Sequence, residues 1–114
     1  MLGQFPQSLK EDRRWVCFDA QKHPIDPATG AIPEGIAAQT AQSLKNIQAI
    51  LAEQGMTLAD VVKTTVFLAD MNDFAEMNKV YGEYFAQPFP ARSAVQVAKL
   101  PKGAPLEIEC IAVK

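Results

Sequence analysis

Eight residues, Val61-Val62-Lys63-Thr64-Thr65-Val66-Phe67-Leu68, are dense in β-branched and aromatic side chains. Such a run suits a pleated strand. Successive side chains on a strand point to opposite faces. Val61 beside Val62, and Val66 beside Phe67, therefore put apolar groups on both faces of this strand. Whatever sheet contains it needs cover on both sides.

The cover available within the chain is limited. Gly35 to Thr40 opens a first helix, in which Ala41, Leu44, Ile47 and Leu51 recur at three- and four-residue steps. That spacing makes one apolar helix face, and Gly55 is placed to cap its C-terminus. Asp73-Phe74-Ala75-Glu76 reads as a capping box opening a second helix, with Phe74, Met77, Tyr81 and Tyr84 as an apolar stripe. That stripe is read as core packing. Pro88 and Pro90 end the helix and lead into a strand from Ala91, and a loop from Pro101 to Pro105 leads into a last strand. A strand–helix–strand unit predicts a parallel pair. Two helices cover one face, so the second face predicts self-association, sheet to sheet. Upstream, Gln7 to Lys10 and Arg14 to Ala20 read as short strands, and His23 to Gly35 as a loop rich in proline and glycine.

The whole is expected to be one domain over 1–114. With 11 Lys and Arg against 13 Asp and Glu, scattered rather than striped, nucleic-acid binding by electrostatics is disfavoured. No apolar run approaches the roughly 20 residues of a membrane span, and Met1 to Pro6 has no signal pattern, so a cytosolic or organelle-matrix protein is expected. Cys17 and Cys110 lie in apolar runs and are read as buried thiols. With His23 as the one histidine, no zinc set is spelled out.

The residues that could carry chemistry lie in the last quarter. Arg92 opens one strand and Glu107 and Glu109 alternate along the other. An arginine held on a strand can grip a carboxylate with two parallel hydrogen bonds, and a glutamate nearby can handle the protons of a water. Residue type alone equally allows a salt bridge for Arg92 and a half-exposed strand face for both glutamates.

From Pro24 onward the chain resembles the YjgF/Rid family of enamine/imine deaminases. The resemblance rests on Pro24-Ile25-Asp26-Pro27-Ala28-Thr29-Gly30, Gln39-Thr40-Ala41-Gln42-Ser43-Leu44-Lys45-Asn46-Ile47, Val62 to Asp70, Phe89-Pro90-Ala91-Arg92-Ser93 and Glu107-Ile108-Glu109-Cys110-Ile111-Ala112. It implies a chorismate-mutase-like α+β fold, a mixed sheet covered on one face by two helices, and a homotrimer with sites at subunit interfaces. It also implies hydrolysis of small 2-imino acids to 2-keto acids and ammonia, without a cofactor. By the same resemblance Arg92 binds the substrate carboxylate, Glu107 positions and activates water, and Asn78 lies near the site. Ala94 stands where many members have cysteine, leaving a backbone contact but no thiol. Before Pro24 the wording departs: Phe5 takes the place of a site tyrosine, and Asp19-Ala20 that of Ser-Gly, so Phe5 and Ala20 complete the expected site. A non-catalytic trimer that binds small carboxylates is the rival reading, and an RNA-cleaving translation inhibitor a third.

Overall fold

The computed structural model describes residues 24–114, together with the backbone of one strand nearer the N-terminus. The expected strand at Gln7 to Lys10, and the positions of Phe5, Ala20 and His23, lie outside the described residues.

Among the described residues, four strands form one mixed sheet: β1 (Trp15–Phe18), β2 (Val61–Leu68), β3 (Ala91–Gln96) and β4 (Leu106–Val113). Two α-helices of the described residues accompany them, α1 (Ile36–Glu53) and α2 (Phe74–Tyr84). The spatial order is β1-β4-β2-β3. β2 and β3 run parallel, as the strand–helix–strand pattern predicts, while β4 is antiparallel to both β1 and β2.

α1 forms where its apolar residues recur. Leu44, Ile47 and Leu51 are buried, with Leu44 and Leu51 wholly so. Gly55 ends it at φ +69°, the left-handed region that glycine enters without penalty. The Gly55 amide donates to the Ala52 carbonyl and the Met56 amide to that of Leu51, a Schellman closure. Met56 then packs in the same core as Leu51. Before α1, the Asn46 side-chain amide donates to the Ile25 carbonyl at 2.9 Å and that of Gln39 to Pro33 at 2.8 Å, fastening the proline-rich loop.

α2 differs at its start from the expected capping box. Asp73 makes no side-chain cap hydrogen bond, because a 3-10 turn over Met71–Asp73 already runs into the helix and Asp73 itself is helical. Asp70, with extended backbone, takes the capping role one turn earlier and accepts from the Asn72 amide at 2.9 Å. The stripe is otherwise as spaced: Met77 and Tyr81 are buried, and Phe74 and Tyr84 pack against the core from its margin.

Register fixes the faces, since paired residues share a side of the sheet. Thr64, Val66 and Leu68 of β2 pair with Cys110, Ile108 and Leu106 of β4, all buried. This is the face that meets the helices. The opposite face carries Phe67 and Ile111, half-buried, and Val95, 41% exposed. Apolar groups therefore do occupy both faces of β2. Cys110 is buried as a thiol. Among the described residues no helix is long and apolar enough to cross a membrane.

Candidate active site

Pro88 and Pro90 deny the chain a continued helix, and it straightens into β3 beside β2. Parallel pairing sets Arg92 opposite Thr64 on the helix-facing side. Arg92 is exposed, as an edge-strand residue at the margin of α2. Phe74, Asn78 and Tyr81 follow one another on α2 at steps of four and three, so they share a stripe. The guanidinium lies along that stripe. Its central carbon is 4.7 Å from the centroid of the Tyr81 ring and 5.4 Å from that of Phe74, and Nη1 donates to Asn78 Oδ1 at 2.6 Å. Two ring contacts and one charged hydrogen bond hold it.

Tyr81 is itself anchored. Its hydroxyl and that of Thr64 are 2.7 Å apart, both residues being buried. Burial raises the Tyr81 pKa above its ordinary 10.0, an effect partly offset by the Thr64 hydrogen bond and by the positive charge of Arg92.

Glu107 is placed differently. It pairs with Phe67, three residues along β2 from the partner of Arg92. An odd step reverses the face, so Glu107 and Arg92 project from opposite sides of one sheet. Nor are their strands neighbours, because β2 lies between β3 and β4. Glu107 is also more enclosed than a half-exposed strand position, at 9% exposure, while Glu109 is half-buried as alternation predicts.

Of the expected residues, the structure thus brings Arg92 and Asn78 together and keeps Glu107 apart. Ala94, two residues beyond Arg92 on the same face, pairs with Val66 and packs against the core. Phe5 and Ala20 fall outside the described residues. Helical spacing alone places Phe74 and Tyr81 in the core; their position on the Asn78 stripe is the sign in the sequence that they also flank Arg92. A separate recess of about 310 Å³ is lined by Gln48, Thr57, Leu58, Tyr84, Phe85 and Pro88, among others, and includes none of these residues.

A family model described as endoribonuclease L-PSP matches residues 2–114. The chain belongs to the YjgF/Rid family. That match takes in the segment before Pro24 where the wording departs. A YjgF/Rid relative from Salmonella typhimurium, named 2-iminobutanoate/2-iminopropanoate deaminase, is 51% identical over 116 aligned residues, covering 99% of this chain and 89% of the relative. The crystal structure of the YjgF gene product from E. coli superposes with a TM-score of 0.80 at 46% identity, over 88% of this chain and 80% of that one. The structure of E. coli TdcF with bound serine superposes with a TM-score of 0.80 at 44% identity, over the same shares. The sheet and paired helices described above are consistent with the chorismate-mutase-like α+β fold of YjgF/Rid proteins.

Proposed function

We propose that this chain is a hydrolytic deaminase of small 2-imino acids such as 2-iminobutanoate and 2-iminopropanoate, working as a homotrimer whose sites lie between subunits. The observation that carries the reading is the supported guanidinium of Arg92, exposed at the sheet margin and held by Tyr81, Phe74 and Asn78. An arginine has five N–H donors. One is spent on Asn78, and the rest remain for the two oxygens of a substrate carboxylate.

Gripping the carboxylate fixes the imine carbon in space and turns binding into orientation. Hydrolysis then needs a water and a route for protons. Water adds its oxygen to C2 as a proton leaves it. That proton goes to the imine nitrogen as the C=N double bond becomes single; the new hydroxyl then gives up its own proton to the nitrogen as its oxygen forms the C=O bond, the C–N bond breaks, and ammonia departs with its electron pair, leaving the keto acid. A carboxylate can take the proton from water and return it to nitrogen, and Glu107 is our candidate for that part. Since Glu107 faces away from Arg92 of its own chain, the carboxylate serving an Arg92 site comes from a neighbouring copy. The apolar groups on the Glu107 face, Phe67, Val95 and Ile111, give that copy a surface to bury. We assign the protein to the cytosol and invoke no cofactor.

One observation favours a second reading, a trimer that binds carboxylates without hydrolysing anything. The arginine grip is complete within a single chain, whereas the glutamate is not beside it.

A coupled assay tests the proposal. A threonine dehydratase acting on threonine supplies 2-iminobutanoate, and semicarbazide traps what is not hydrolysed. The protein is expected to lower the trapped product, and Arg92→Ala to lose that effect. No lowering, or an equal lowering by Arg92→Ala, overturns it; carboxylate binding without lowering establishes the second reading.

A further inference from the structure

We infer that Tyr81 is a positioning residue for carboxylate recognition, acting through Arg92 from a place anchored by Thr64. The inference rests on the reading of Arg92 as the carboxylate grip and adds what makes that grip directional.

An arginine on an exposed edge strand has many rotamers open to it, and most of them aim the guanidinium elsewhere. Bidentate recognition needs both the plane of the guanidinium and its rotation within that plane to be set. The Asn78 bond at 2.6 Å sets the rotation, by holding Nη1. The plane is set by what lies under it. Tyr81 is the nearer ring, at 4.7 Å against 5.4 Å for Phe74. It is also the more firmly held, at 6% exposure, packed at a tilt against Phe85 with ring centroids 4.6 Å apart and hydroxyl-bonded to Thr64, whereas Phe74 lies at the margin of the core. A cation lying over a ring face keeps its N–H groups directed sideways, toward a ligand.

Thr64 completes the argument. It is wholly buried on the inner strand β2, and it is the register partner of Arg92. The residue paired with the arginine therefore holds the ring on which the arginine rests. A valine at Thr64 would fill the same space and leave the Tyr81 hydroxyl without this bond.

The test separates positioning from packing, since Tyr81 is also a core residue. In the intact protein, Tyr81→Leu keeps apolar bulk and removes the ring face. It is expected to raise KM for 2-iminobutanoate and the Kd of the product 2-oxobutanoate about tenfold, with kcat within about twofold. Tyr81→Phe and Thr64→Val release the anchor and are expected to raise KM about threefold each, with no further rise when combined. Placed on Arg92→Ala, Tyr81→Leu is expected to have no additional effect on kcat/KM, which a purely packing role would not produce. A folded Tyr81→Leu with wild-type KM, or one equally damaging with and without Arg92, overturns the inference alone. If Tyr81→Leu does not fold, unchanged KM in both Tyr81→Phe and Thr64→Val overturns it. If Arg92→Ala leaves KM and the 2-oxobutanoate Kd unchanged, the reading of Arg92 falls, and the inference with it.

Discussion

The hydroxyls of Thr64 and Tyr81 meet at 2.7 Å in the buried layer beneath the Arg92 guanidinium. Burial favours the neutral phenol, so the folded pKa of Tyr81 lies above its ordinary 10.0. Between those two values the unfolded chain has given up a proton that the folded chain retains. Stability from this group is therefore complete below pH 10 and is lost as pH rises through the folded pKa. Urea midpoints measured from pH 8 to pH 11 are expected to fall more steeply for the wild type than for Tyr81→Phe. Parallel curves would count against the raised pKa.

Replacing Arg92 removes a charge and a bidentate donor at once. Hydrogen bonds to charged groups are worth about 1.5 to 3 kcal/mol each, so losing the two bonds of a bidentate grip in Arg92→Ala is expected to cost roughly 100- to 20,000-fold in kcat/KM for the imine. Arg92→Lys restores charge without the fork and is expected to recover only part of the loss. The semicarbazide-trapping assay measures both, and full recovery by lysine would speak against bidentate binding.

Opposite-face placement of Arg92 and Glu107 predicts complementation. Arg92→Ala and Glu107→Gln are each expected to be inactive as pure assemblies. Subunits mixed in equal amounts by joint refolding are expected to regain about a quarter of wild-type activity, since in the proposed ring of three each mixed trimer would contain one intact arginine–glutamate site. Activity that stays at background after mixing, with mixed trimers verified by native mass spectrometry, would mean that the two residues do not meet between copies.

Gly55 offers a test of local structure remote from the site. A Cβ added there meets nothing within 4 Å, so its cost is that of the φ +69° backbone. Gly55→Ala is expected to lose about 1 to 2 kcal/mol of stability and Gly55→Asn less, as read by denaturant titration. Near-zero loss for alanine would show that the helix end rearranges.

Much of the architecture was legible because it is locally encoded. The β-branched density of Val61 to Leu68 marks its strand to the residue, and Leu44, Ile47 and Leu51 mark the buried face of α1. What was not legible depends on pairings between distant segments. Alternation along Leu106 to Val113 separates its two faces, but only the register with β2 says that Glu107 opposes Phe67 and so turns away from Arg92. Strand order is likewise nonlocal, and β2 comes between the two strands that carry the candidate residues. The cap at α2 departs from the expected capping box for a local reason: Asp70 and Asp73 are both chemically fit for it, and the intervening 3-10 turn decides in favour of Asp70. Of the candidate site, residue chemistry pointed to Arg92 and the family wording to Asn78, which the structure brings together, while the contact of Tyr81 with Arg92 needed the approach of β3 to α2.

The two-sidedness of this sheet has a consequence for assembly. A site that draws its arginine from one copy and its glutamate from the next joins two unlike surfaces, a head-to-tail contact. Repeated contacts of that kind either close into a ring or grow without limit as a filament. A closed ring of three satisfies every head and every tail, so that no copy is left holding half a site open to a fourth.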